Sequence, residues 1–227
     1  MTGVFLQARI ASTRLANKAL LPLRGPNVLE HAMAALREVP ADVYAVLTDS
    51  DSLDSFRPYT KSAGFELFAG DPLDVLDRYV AAATHFETDI IVRATGDNPL
   101  VSHEIARETL ALRDAGDCDY AGIIGNPLGT GVEVVRAESL RRAREEATDP
   151  YEREHVTPFL YRRPERFSLC MRPTHERLKL DARVTLDTPE DYELLLDMFD
   201  DLYRGHPVPV GDVVSWLTNH PARRLTA

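Results

Sequence analysis

GVFLQARIASTRLANK, residues 3–18, runs from an apolar segment straight into a basic loop. GVFLQA is short, apolar and bounded by polar residues, the pattern of a buried strand. The loop beyond it holds Arg9, Arg14 and Lys18 with the hydroxyls of Ser12 and Thr13, all ahead of the next helical segment. Backbone N–H groups in such a turn, flanked by hydroxyls and cations, can cradle an anion. Arg offers a planar fork to phosphate oxygens and Lys a movable point charge. The loop is neither a GxxxxGK[ST] phosphate loop nor a GxGxxG dinucleotide turn. A solvated basic loop is the plain alternative.

Working outward, helical spacing of Val28, Leu29, Met33 and Leu36 predicts a helix over 26–38, with Pro26 at its start. DVYAVLTD (42–49), FELFAG (65–70) and DIIVRATGD (89–97) read as further strands. Helices are expected between them at about 52–63 and 71–86, and after them at 103–116. Strands alternating with helices imply a mainly parallel sheet covered on both faces. Right-handed crossovers then bring the strands' C-terminal ends to one edge, where open α/β sheets bind ligands. The fold class is therefore α/β, a three-layer sandwich built as one domain over 1–227.

The second half is less regular. DYAGI, GVEVV and RFSLCMR read as strands, with helices at about 137–147 and 151–162. ARVTLD (182–187) reads as a short strand, TPEDYELLLDMFDDLY as a long helix, and 210–219 as a small one. His31 and His103 fall on expected helix surfaces, and Trp216 reads as packing.

The formal charge of −10 over 227 residues argues against general nucleic-acid binding, which needs a basic face. A local basic pocket in an acidic shell suits a small anion. No apolar run approaches a membrane span, and MTGVFLQAR lacks a secretory apolar region, so a soluble, cytoplasmic protein is expected. The two cysteines, Cys118 and Cys170, are too few for a disulfide framework and are expected to be reduced.

Asp97, in VRATGDNPLV, and Asp187, in RVTLDTPEDY, each follow an expected strand on the ligand edge. Two carboxylates there could share Mg²⁺, which favours one or two carboxylates with phosphate oxygens and water. Asp187 has a second reading as a helix cap. A cationic cradle facing such a pair is equipment for nucleotidyl transfer.

These segments resemble the cytidylyltransferases that activate sugar acids, such as the 3-deoxy-manno-octulosonate and acylneuraminate enzymes. The resemblance is stronger to the branch of the spore coat polysaccharide biosynthesis protein F. It rests on LQARIASTRLANKALLPLRGPNVLEH, GDPLDVLDRY, VRATGDNPLV, EREHVTPFLY and RVTLDTPEDY, in that order. It implies CTP as donor, Mg²⁺ on Asp97 and Asp187, and triphosphate contacts from Arg14 and Lys18. Ala8, Arg9 and Ser12 would line the nucleotide pocket. Asp77 and Arg78 would lie near the nucleotide, unless they form a helix surface with an Asp74–Arg78 pair. Glu133, Arg153 and His155 would face a small anionic acceptor. A homodimer touching through 120–183 is also implied.

The pattern departs from that branch in places. Ala16 replaces a Pro, Thr130 and Gly131 stand where an acid is expected, and Val135 replaces an aromatic. The acceptor therefore does not carry over. Two rivals remain open: a nucleotide-sugar-dependent glycosyltransferase using Asp49–Ser50–Asp51, and a non-catalytic nucleotide-binding protein. Uridylyl or guanylyl transfer is a further alternative.

Overall fold

The computed structural model describes residues 1–12 and 14–226; Thr13, one of the expected cradle hydroxyls, lies outside them. A seven-stranded sheet runs in the order β3-β2-β1-β4-β6-β5-β7. The strands are β1 (Thr2–Gln7), β2 (Val43–Thr48), β3 (Glu66–Ala69), β4 (Ile90–Thr95), β5 (Tyr120–Ile124), β6 (Glu133–Arg136) and β7 (Leu169–Pro173). Pairing is parallel except at β6, which runs antiparallel between β4 and β5.

Side-chain alternation along β1 builds the layers. Val4, Leu6 and Ala8 pack with α1 (Val28–Leu36), α2 (Leu53–Ala63) and α4 (His103–Gly116). Phe5 points to the other face, toward α3 (Val75–His85), α5 (Ala137–Glu146) and α7 (Pro158–Tyr161). Both faces of the sheet are thus buried, as a largely parallel sheet requires. Truncating a residue such as the fully buried Phe5 to Ala would cost about 3–5 kcal/mol. α8 (Pro189–Leu202) and α9 (Val210–Asn219) form a further apolar cluster with Leu23, Val28 and Leu100. Among the described residues, no helix is long and apolar enough to cross a membrane.

Several sequence expectations change. α1 begins at Val28 because Asn27, not Pro26, caps it in a reciprocal pair with Glu30. The helix expected over 151–162 is broken into α6 (Pro150–His155) and α7. Val156 takes φ 73° at the break, and Pro158 has no N–H to continue the ladder. ARVTLD is not a sheet strand. Its backbone bonds go to Leu128, to Leu225 and to Asp97, leaving one isolated bridge, Leu128 to Arg183.

His31 is buried, donating from Nε2 to the Leu23 carbonyl at 2.7 Å and lying against Phe199 and Tyr203. His103 is half-buried with Nδ1 shut away from solvent. Trp216 is buried as expected, and its indole N–H donates to Asp201. Cys118 and Cys170 are joined as a disulfide with Cα atoms 6.0 Å apart, against the expectation of free thiols. The parallel pairing of β5 with β7 sets Ala121 opposite Cys170 and brings Cys118, just before β5, within reach.

Candidate active site

The C-terminal ends of β1 and β4 open onto a cleft of about 1240 Å³. The two strands come unusually close there. Gly96 N–H donates to the Gln7 carbonyl at 2.7 Å, and a Cβ on Gly96 would lie 2.8 Å from that of Ala8. Only glycine permits this approach, which sets Asp97 beside the loop after β1.

Lys18 Nζ donates to Asp97 Oδ2 at 2.7 Å and to Asp187 Oδ1 at 2.8 Å. Arg14 donates to the same Asp187 oxygen at 2.9 Å. Segments remote in sequence therefore meet at one ammonium. The Lys18 side chain is 16% exposed. Burial pushes its pKa down, but the Asp97 charge and the bonds to both carboxylates outweigh that and leave it raised. Burial would raise Asp187, yet the Lys18 hydrogen bond and the Lys18, Arg14 and Arg183 charges hold it below its ordinary value.

Asp187 is not the cap of α8. Thr188 is the cap, accepting from the Asp191 N–H, and Asp191 returns its carboxylate to the chain. Asp191 Oδ2 accepts both the Asp187 and Thr188 N–H groups at 2.9 Å. Leu186 N–H donates to the Asp97 carbonyl at 2.9 Å. The two acidic segments are thereby tied through backbone, not through a shared sheet edge.

A divalent metal fits this geometry. Both carboxylates already converge on a single cation, so their oxygens are placed to share one. Among the described residues there is no group of three or more His, Cys, Asp or Glu fit to hold a metal. The donor set suits Mg²⁺ completed by phosphate oxygens and water.

Ala8, Arg9, Ser12, Arg14, Lys18 and Arg78 line the cleft, as do Glu133 and His155. Arg78 is 1% exposed and donates to the Asp71 carbonyl, so it does not pair with Asp74. Burial lowers its pKa. Asp77 pairs with Arg144 at 2.6 Å and does not line the cleft. Arg153 is likewise withdrawn: it binds Asp74 and the carbonyls of Arg144 and Ala147, fastening α6 to the start of α3. Asp49 and Asp51 are also absent from the lining. Asp49 instead caps the turn before α2 by accepting from Ser52 N–H at 2.9 Å.

Sequence reading missed Arg93. It rises from β4 and donates to Glu133 Oε2 at 2.5 Å, while Tyr120 and Thr157 donate to Glu133 Oε1 at 3.0 and 2.7 Å. Burial would lower the Arg93 pKa, but Glu133 more than offsets it. A lone cation inside DIIVRAT was the available signal. Asn98, Asn126 and Asp181 also line the cleft and carried no sequence signal.

A family model described as cytidylyltransferase matches residues 4–206. The chain is 30% identical to the spore coat polysaccharide biosynthesis protein SpsF of Bacillus subtilis, covering 95% of this chain and 93% of that protein. A solved cytidylyltransferase of Leptospira borgpetersenii superposes with a TM-score of 0.88 at 28% identity, over 98% of this chain and 95% of that one. A CMP:2-keto-3-deoxy-manno-octonic acid synthetase, solved with CTP, superposes at 0.68 with 16% identity, over 88% of this chain and 98% of that one. That last likeness shows the nucleotidyltransferase fold alone.

Proposed function

The chain belongs to the cytidylyltransferase family, and on that premise we propose that it moves the cytidylyl group of CTP onto a small anionic acceptor, a sugar acid or a related phosphate or phosphonate. The observation that carries this reading is the meeting of Arg14, Lys18, Asp97 and Asp187 at one point. The name of the Bacillus subtilis relative also supports a product used in polysaccharide assembly.

In the reaction, an acceptor oxygen attacks the α-phosphorus in line with the leaving group. The new P–O bond forms as the bond to the bridging oxygen of the β-phosphate breaks. That oxygen leaves with the electron pair as pyrophosphate, and an acceptor proton, where there is one, passes to solvent. Arg14 and Lys18 stabilise the departing pyrophosphate. Lys18 exchanges its carboxylate partners for phosphate oxygens as the donor enters. Ala8, Arg9, Ser12 and Arg78 take the nucleotide side. Asp97 and Asp187 would hold Mg²⁺, which would neutralise phosphate charge when bound.

We assign Glu133 and His155, which line the same cleft, to the acceptor. We assign the chain as one catalytic domain, with 120–183 supplying acceptor contacts and a homodimer surface, working in the cytoplasm where its nucleotide donor is found. The placement of Asp49 and Asp51 outside the cleft speaks against the glycosyltransferase reading.

Thermal unfolding with each of four NTPs and Mg²⁺ tests the donor. At about 100 times Kd the right nucleotide adds roughly 2.7 kcal/mol. Stabilisation by GTP or UTP and not by CTP overturns the assignment.

A further inference from the structure

Val156 joins α6 to α7 with φ 73° and ψ −56°. For a β-branched residue this is a strained backbone, and such strain persists only where the surrounding structure holds it, most often at functional sites. The next residue, Thr157, is 1% exposed and gives its hydroxyl to Glu133 Oε1 at 2.7 Å. Two more donors reach the same carboxylate from two other elements. Tyr120 of β5 donates to Oε1 at 3.0 Å, and Arg93 of β4, the cross-strand partner of Glu133, donates to Oε2 at 2.5 Å. Burial and the Glu133 charge keep the Tyr120 proton on its oxygen. Glu133 nonetheless lines the cleft, whereas neither Thr157 nor Tyr120 is among the described residues that do.

From these contacts we infer that Thr157, Tyr120 and Arg93 are positioning residues for the acceptor: they lock Glu133 in one orientation, in which its carboxylate receives an acceptor hydroxyl. The inference rests on the assignment of Glu133 to the acceptor and adds what holds that carboxylate in place.

Fold stability alone does not call for this arrangement. A buried ion pair is often no more stabilising than an apolar pair of similar volume. Here three elements each direct a donor to one carboxylate, and one of them does so beside a strained residue. A side chain fixed by several surrounding groups keeps its geometry within the narrow range that a reacting site needs. An ionised carboxylate is acceptor-only and has about four lone-pair sites. Three protein donors therefore leave capacity for one more, and the 22% of the side chain that is exposed lets a ligand reach it. Arg93 balances the charge, so a neutral O–H donor completes the set.

The test follows pyrophosphate release from CTP and Mg²⁺ with 3-deoxy-manno-octulosonate, N-acetylneuraminate, glucose 1-phosphate and 2-hydroxyethylphosphonate, and takes the fastest as the probe. Thr157→Val removes the hydroxyl and keeps the shape. It should lower kcat/KM for the probe tenfold or more and leave KM for CTP within twofold. Thr157→Ser should recover most of that loss, and Tyr120→Phe and Arg93→Lys should behave as Thr157→Val does. In a Glu133→Gln background, Thr157→Val should cost less than twofold, because it acts through that side chain. A melting temperature that falls while kcat/KM for the probe holds would show a merely structural role and overturns the inference. So does an equal loss in Thr157→Ser, or a full tenfold loss on top of Glu133→Gln. Should Thr157→Val fail to fold, Tyr120→Phe carries the same comparisons. If no compound releases pyrophosphate, the wild type and variants are compared by thermal stabilisation with the four compounds, in protein saturated with a non-hydrolysable CTP analogue and Mg²⁺. Equal stabilisation of wild type and Thr157→Val, or none in either, then overturns the inference. Stabilisation by the CTP analogue alone reports on the donor reading separately, so a failure there is distinguished from a failure of the positioning residues.

Discussion

Asp191, itself 1% exposed, holds the backbone of Asp187: its Oδ2 accepts the Asp187 N–H at 2.9 Å and the adjacent Thr188 N–H at the same distance. Arg183 Nη2 lies 2.7 Å from the other oxygen, a charge contact poorly angled for a hydrogen bond. A buried helix-capping carboxylate thus orients the half-buried acid one turn before it. Asp191→Asn can keep its amide oxygen on both N–H groups, but it then turns an amide NH2 toward Arg183 and loses the charge that faces that guanidinium. It should lower stability by about 1–3 kcal/mol and shift the Mg²⁺ dependence of turnover to higher concentration. Melting curves and a Mg²⁺ titration check both; a normal metal dependence would mean that Asp191 only caps α8.

Lys18 stands between Asp97 and Asp187 where a divalent cation would compete with it. Lys18→Met should therefore tighten binding of Mn²⁺ to the nucleotide-free protein while reducing turnover of CTP. Calorimetry with Mn²⁺ alone and a pyrophosphate assay separate the two effects. Weaker Mn²⁺ binding in the variant counts against a shared cation site.

Asp97→Asn and Asp187→Asn should each remove most turnover, and the double variant should be little worse than either single one, because groups acting on one centre are strongly non-additive. A capping role for Asp187 is not available to rescue activity, since Thr188 is the cap. Wild-type kcat in Asp187→Asn across a Mg²⁺ titration would falsify the paired-carboxylate site.

Stability should change with pH in separate steps, on the acid side through His31 and Asp187 and on the alkaline side through Lys18. Burial depresses the His31 pKa below its usual 6.5, against the opposing pull of its bond to Leu23 and the Glu30 charge. The unfolded chain then binds the proton more readily, so stability drops as pH falls from about 6.5 through the folded value. Asp187, also depressed, keeps its contribution above the ordinary carboxylate value and loses it only below that range. Lys18, raised, contributes below its ordinary value of 10.5 and loses that as pH rises through its folded value. Melts from pH 5 to 8 should show the His31 step, and His31→Gln should flatten it.

Cys118 and Cys170 close a loop of sequence separation 52. The chain-entropy model gives such a bridge about 4 kcal/mol. Protein purified without reductant and denatured should resist iodoacetamide, and reduction should admit two adducts by intact mass. Two adducts without reductant would show that the thiols are free.

The alternation of apolar strands with amphipathic helices up to residue 116 was legible in the sequence, because periodicity and turn residues are local properties. So was the candidate cradle, since Arg9, Arg14 and Lys18 crowd one loop, and so were Asp97 and Asp187 through their motifs. Long-range contact decided the rest. The antiparallel entry of β6 places Glu133 opposite Arg93. The break at Val156 is followed by a Thr157 hydroxyl bond to Glu133. Arg153 and Asp77 are drawn away from the cleft because Asp74 and Arg144 offer closer partners. Residues 182–187 are held by loops, not by the sheet. A side chain's partner depends on which segments the fold brings within a few ångströms, and charge pairing acts only at that range. Local pattern therefore named most of the charged groups at the site, and only the tertiary structure decided which of them stay free for a ligand.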